Sequence, residues 1–117
     1  MMRQLLGMMG QMTTFDTREK EFEARFKHDQ ELQFKITARR NLLLGLWGAQ
    51  HLGLLGDAVE AYAHRLVETQ LRPGGNRNVV GKLAADLGTK DPMFTAARIR
   101  FELEHFAEQA KRQLMRE

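Results

Sequence analysis

The sequence predicts an all-α fold, a bundle of helices joined by short connections, and three observations carry that prediction. Apolar residues recur at three- and four-residue spacings through most of the chain, as they do on one face of an α-helix. No segment shows sustained alternation of period two or a β-branched run, so no strands are expected. The apolar pattern is interrupted where helix-stopping chemistry falls: Leu55-Gly56-Asp57, Arg72-Pro73-Gly74-Gly75-Asn76, and Gly88 to Pro92.

A chain of 117 residues has room for one domain with a real core but little room for an elaborate cleft. It has no cysteine, which removes disulfides, thiolate metal sites and cysteine nucleophiles together and suits a reducing compartment. Its 18 basic and 15 acidic residues give a net charge of +3 and a pI near 9.6. The charges are interspersed, as on solvated helix surfaces, so a nucleic-acid partner is supported by the pI alone. Neither the start of the chain nor the run Leu42 to Leu55 reads as a signal peptide or a membrane span.

Met1 to Gln11 is rich in methionine and glycine and unlike the rest. It is expected to be a disordered or artefactual extension, with Met12 as an alternative start. The domain proper is then residues 12–117. The first helix signal begins at Thr13 or Thr14, with Asp16 in the first turn where the helix dipole favours it. Phe15, Phe22 and Phe26 follow at spacings of seven and four, so their rings fall within about 40° of one another on a helix. A second stripe, Leu32, Ile36, Leu43 and Trp47, is rotated from this seam by roughly 70°.

The pattern continues to Leu55 as one bent helix or as two, with a break near Arg40 and Asn41. Close packing against a neighbour would account for Gly45, Gly48 and Gly53. Gly56 is expected to end this helix, and Asp57 with Glu60 to cap the next, which runs to Leu71 and buries Val59, Tyr62, Ala63, Leu66 and Val67. A short helix from about Asn78 to Leu87 buries Val80, Leu83, Ala84 and Leu87. The last helix is expected to start at Asp91-Pro92 and run to about Arg116 on the stripe Ala96, Ile99, Leu103, Phe106, Ala110 and Leu114.

Little in the chain points to catalysis. The histidines His28, His51, His64 and His105 lack the paired spacing of a zinc site, and there is no phosphate loop, dinucleotide fingerprint or nucleophile elbow. No enzyme is expected. Lys35, Arg39 and Arg40 beside Trp47 offer an anion or nucleotide site. The more economical reading buries Trp47 in the core and leaves the arginines on the surface or paired with Glu31 and Glu60. For the phenylalanine seam, partner binding and ordinary core burial both remain open, although Asp29 and Gln33 interrupt its continuation.

The motifs FDTREKEFEARFKHD and KITARRNLLLGLW, followed in order by GDAVEAYAHRLVE, GKLAADL and a terminal amphipathic helix, resemble the ζ-subunit family of alphaproteobacterial F-type ATP synthase inhibitors. The resemblance covers Met12 to Glu117. It implies a four-helix bundle with a mobile or protruding N-terminal helical segment that wedges into a catalytic interface of the ATPase head and blocks ATP hydrolysis. Carried over by motif, the inhibitory segment is residues 12–30, with Phe15, Phe22 and Phe26 as apolar anchors and Arg18, Glu19, Lys20, Glu23 and Arg25 making polar contacts. The partner implied is the catalytic head of the F-type ATP synthase, with no nucleic acid and no direct membrane insertion. The chain is expected to be monomeric when free, and cytoplasmic, peripheral to the inner membrane when bound. No cofactor is expected. The alternative is a helical regulator that binds adenine nucleotide, ATP or ADP, weakly and inhibits little. The loop RPGGNRN departs from the family pattern, being neutral to basic where that pattern is acidic.

Overall fold

The computed structural model describes residues 2–117, with side chains from Asp16 onward. Met1 and the side chains of residues 2–15, the Phe15 ring among them, lie outside the described residues, and the first helix starts at Met2, ahead of the start expected at Thr13 or Thr14. The architecture is all-α: α1 (Met2–His51), α2 (Asp57–Gln70), α3 (Asn76–Gly88) and α4 (Ala96–Met115), with no strand among the described residues. Packing divides the chain into two compact units, Met1–Phe34 and Lys35–Glu117.

The second unit holds the core. There the C-terminal part of α1 lies antiparallel to α2, with Arg40 bonded to Gln70 and Gly45 against Ala63. Helix α2 is antiparallel to α3, with Tyr62 bonded to Asp86 and Gln70 to Asn76. Helix α4 returns beside α1, bringing Gln113 to Arg39 and Phe106 to Trp47. Leu44, Leu66, Leu83, Leu87 and Ile99 are fully buried. Burial of each is worth about 1.5–3 kcal/mol relative to exposure.

Helix α1 does not break at Arg40 and Asn41. Ile36, Arg40 and Leu44 are four apart and all buried, so one face passes unbroken through that point. Asn41, whose side chain otherwise competes for nearby backbone, is fully buried and donates to Gln70 Oε1 instead. The helix ends at His51 and not at Leu55. Gly53 takes the left-handed conformation (φ +75°), its amide donates to the Gln50 carbonyl, and Leu54 N donates to the Ala49 carbonyl. That pair of bonds is a Schellman cap. Gly53 therefore serves a turn. Gly45 and Gly48 do serve close packing: a Cβ at Gly45 would sit 2.6 Å from Ala63 Cα, and one at Gly48 would sit 2.7 Å from Leu83 Cδ2.

The other helix starts differ from expectation by a few residues, each for a local reason. Gly56 is the N-cap of α2, with no side-chain cap bond, so Asp57 lies inside the first turn and forms no capping box with Glu60. Both acids still face the positive end of the helix dipole. Helix α3 begins two residues early, at Asn76, capped by Gly75. Helix α4 begins at Ala96, capped by Thr95, whose Oγ1 accepts from Arg98 N at 3.2 Å. Asp91 instead closes a turn, accepting from Met93 N at 2.9 Å, and this turn delivers Phe94 to Trp47 and His51.

Tyr62 ties α2 to α3. Its hydroxyl donates to Asp86 Oδ2 at 2.8 Å, and Lys82 Nζ reaches the same oxygen at 2.9 Å. Burial first, then the bond to Asp86, raises the phenol's pKa well above its ordinary value near 10. The unfolded chain therefore loses this proton before the folded one. The contribution is whole below about pH 10 and lost as pH rises beyond it.

Two predictions follow from this packing. Gly45→Ala should lower unfolding free energy by about 1–3 kcal/mol, whereas Gly81→Ala, whose Cβ would meet nothing within 4 Å in α3, should raise it by about 0.4–1 kcal/mol. Urea unfolding measures both. Tyr62→Phe should cost about 0.5–1.5 kcal/mol at pH 7 and make the fall in stability between pH 10 and 11.5 shallower, read from unfolding midpoints across that range.

Candidate functional site

In the first unit every described side chain, from Asp16 to Phe34, is exposed. Charged residues at helical spacing support this stretch locally, with Lys20 Nζ 3.4 Å from Asp16, four residues before it. Such exposed pairs are worth a few tenths of a kcal/mol each. Along the same helix Phe22 is 70% exposed and Phe26 56% exposed. Their spacing of four places both rings on one face, about 40° apart. Arg18 and Arg25 lie to one side of them and Glu19 and Glu23 to the other, with Lys20 behind the glutamates, all exposed. Seven of the eight residues singled out from sequence thus lie together on one stretch of α1, and the eighth, Phe15, falls outside the described side chains.

Two aromatic rings in water form a surface that gains free energy when covered, about 1.5–3 kcal/mol for each ring fully buried. Core burial, the other reading open at the level of sequence, does not describe Phe22 and Phe26. The second stripe is also shorter than the sequence suggested. Leu32 is exposed, and burial starts at Ile36. Phe34, 62% exposed, was missed. The signal was available, since position 34 lies nearly opposite the Leu32–Ile36 stripe on a helical wheel.

The second candidate cluster has a structural use. Arg40 is only 6% exposed and binds neither Glu31 nor Glu60, so the expectation of an arginine on the surface or paired with one of those acids is corrected. Its Nε donates to Asn41 Oδ1 at 3.1 Å, and its Nη2 donates to Gln70 Oε1 at 3.0 Å and Asn76 Oδ1 at 2.9 Å. Burial lowers its pKa from the ordinary arginine value. Position 40 is on the buried face because it continues the Ile36–Leu44 row, and the amides of α2 and α3 meet its guanidinium there. Arg39 donates to Gln113 Oε1 at 3.0 Å and pairs with Glu117 at 2.7 Å, where Glu31 or Glu60 was expected. Trp47 packs on the core, its ring 5.8 Å from Phe94 and 6.3 Å from Phe106, with His51 at 4.7 Å.

A cavity of about 280 Å³ is lined by Asn76, Arg77, Val80, Arg100, Leu103 and Glu104 and includes none of the eight candidate binding residues. Among the described residues no group of three or more histidines, aspartates or glutamates is placed to hold a metal ion. No helix among them is long and apolar enough to cross a membrane.

The fold and this surface define a small all-α protein with an exposed aromatic face on its first helix. The family described as ATPase inhibitor subunit zeta matches residues 12–113, and the chain belongs to that family. A chain solved by solution NMR is 42% identical and superposes with a TM-score of 0.62, the match covering 72% of this chain and 95% of that one. A comparison with curated proteins finds no match.

The two arginines separate by substitution. Arg40→Ala strips a buried donor from three side-chain acceptors and should lower unfolding free energy by about 1.5–3 kcal/mol. Arg39→Ala removes a partly exposed pair and should cost about 0–1 kcal/mol in the same denaturation experiment.

Proposed function

We propose that this chain binds the catalytic head of the F-type ATP synthase and stops ATP hydrolysis by inserting residues 12–30 of α1 at a catalytic interface. The mechanism is steric and conformational. Phe22 and Phe26, with Phe15, are the apolar anchors, and Arg18, Glu19, Lys20, Glu23 and Arg25 make the polar contacts around them. Family membership supports an inhibitory role. The observation that carries the choice of segment is that Phe22 and Phe26 lie largely in water, while Lys35–Glu117 supplies its own core. Aromatic anchors of this kind dominate binding energy where they fill apolar pockets. On this reading the protein is monomeric when free, acts in the cytoplasm, and meets the inner membrane only through the ATP synthase.

The test is inhibition of ATP hydrolysis by purified cognate ATPase. The native chain should inhibit, and Phe22→Ala combined with Phe26→Ala should raise the concentration for half-inhibition at least about thirtyfold, with the unfolding midpoint of the chain unchanged. Inhibition by the double variant equal to that of the native chain would reject these rings as anchors.

A further inference from the structure

The charges beside the phenylalanine seam are sorted by sign. Taking the midline between Phe22 and Phe26 as zero, at about 100° per residue, Arg18 and Arg25 fall roughly 60° and 80° to one side. Glu19 and Glu23 fall roughly 40° and 80° to the other, with Asp16 beyond them at about 100°. All five are exposed. Behind these inner rows the signs reverse: Glu21 stands behind the arginines, and Lys20 and Lys27 behind the glutamates, each more than about 110° from the midline. Asp16 pairs with Lys20 across the acidic side. The sorting belongs to residues 16–26, because Asp29 returns a negative charge to the arginine side at about 40°.

A groove deep enough to cover the two rings has the inner rows against its walls and the outer rows only at its wet rim. Its walls then meet one sign on each side. We infer that the helix is received by a groove with an apolar floor and walls of opposite charge, carboxylates facing Arg18 and Arg25 and cationic groups facing Glu19 and Glu23. This polarity sets the direction in which the helix lies. Turning the helix end for end keeps the rings on the floor but exchanges its two sides, so every inner charge then faces its own sign. Like charges brought together at an interface oppose binding strongly, whereas a seam of rings alone accepts either direction. The inference rests on the proposed insertion of this segment and names the chemistry of the surface that takes it.

The test exchanges the two sides at constant net charge. The full chain carrying Arg18→Glu, Arg25→Glu, Glu19→Arg and Glu23→Arg is compared with the native chain in the ATP-hydrolysis assay, at low and at physiological salt. A control chain carries Glu21→Lys and Lys27→Glu, which exchanges signs only on the outer rows. The inner exchange should raise the half-inhibition concentration at least about tenfold, with a smaller ratio at higher salt, and the control should stay within about twofold of native. Inner-exchange inhibition within twofold of native overturns the inference, as does an equal loss in the control. If the ring double variant has lost inhibition while the inner exchange has not, the insertion reading stands and the polar walls fall. Failure of the native chain to inhibit removes both.

Discussion

Burial of Ile36, Leu44 and Ala49 against the other helices of the second unit is the constraint from which the rest follows. Those residues, with Leu66, Leu83, Leu87 and Ile99, complete a core that among the described residues is made from positions after Phe34. A core that closes without Phe22 and Phe26 leaves those rings in water. That state is unfavourable for the isolated chain and useful only if another surface covers them. The same helix thus carries both the anchor of the fold and the proposed anchor of the complex, with the change in role falling between Phe34 and Ile36.

Close approach between helices depends on small residues, and the specificity of the packing on one polar network. Gly45 lets α1 meet the backbone of α2 at Ala63, and Gly48 makes room for Leu83. Around Arg40, three side-chain oxygens from α1, α2 and α3 take up donors that have left water. Buried polar groups cost stability unless each is satisfied, and among the described residues none of the buried side-chain donors or acceptors lacks a partner. Directional bonds of this kind admit few alternative registers between α1 and the α2–α3 pair. An apolar core alone tolerates more.

Most of the fold was legible in the sequence because helices announce themselves by period. The stripes on α2, α3 and α4 matched the buried rows, although Val79, fully buried, was not among the residues named. The helix boundaries were less legible. Gly53 and Gly56 both offer a left-handed stop, and only the fold decides that the first ends α1 while the second starts α2. Asp91-Pro92 carries a strong start signal, yet seating Phe94 against Trp47 needs a turn there, so the helix waits for Thr95. Arg40 was hidden by its charge: arithmetic put it on the buried row, and the ordinary behaviour of arginine argued against that position. The seam of Phe22 and Phe26 was visible from spacing alone. Whether it faced inward was not, since an amphipathic stripe looks the same to a core and to a partner.

The account is tested most directly by hydrogen–deuterium exchange of the chain, free and bound to the purified ATPase head. It predicts that amides of residues 16–30 become strongly protected on binding, while those of α2 and α4 exchange as they do in the free chain. Protection confined to the faces of α2 to α4, with residues 16–30 exchanging as before, would contradict it.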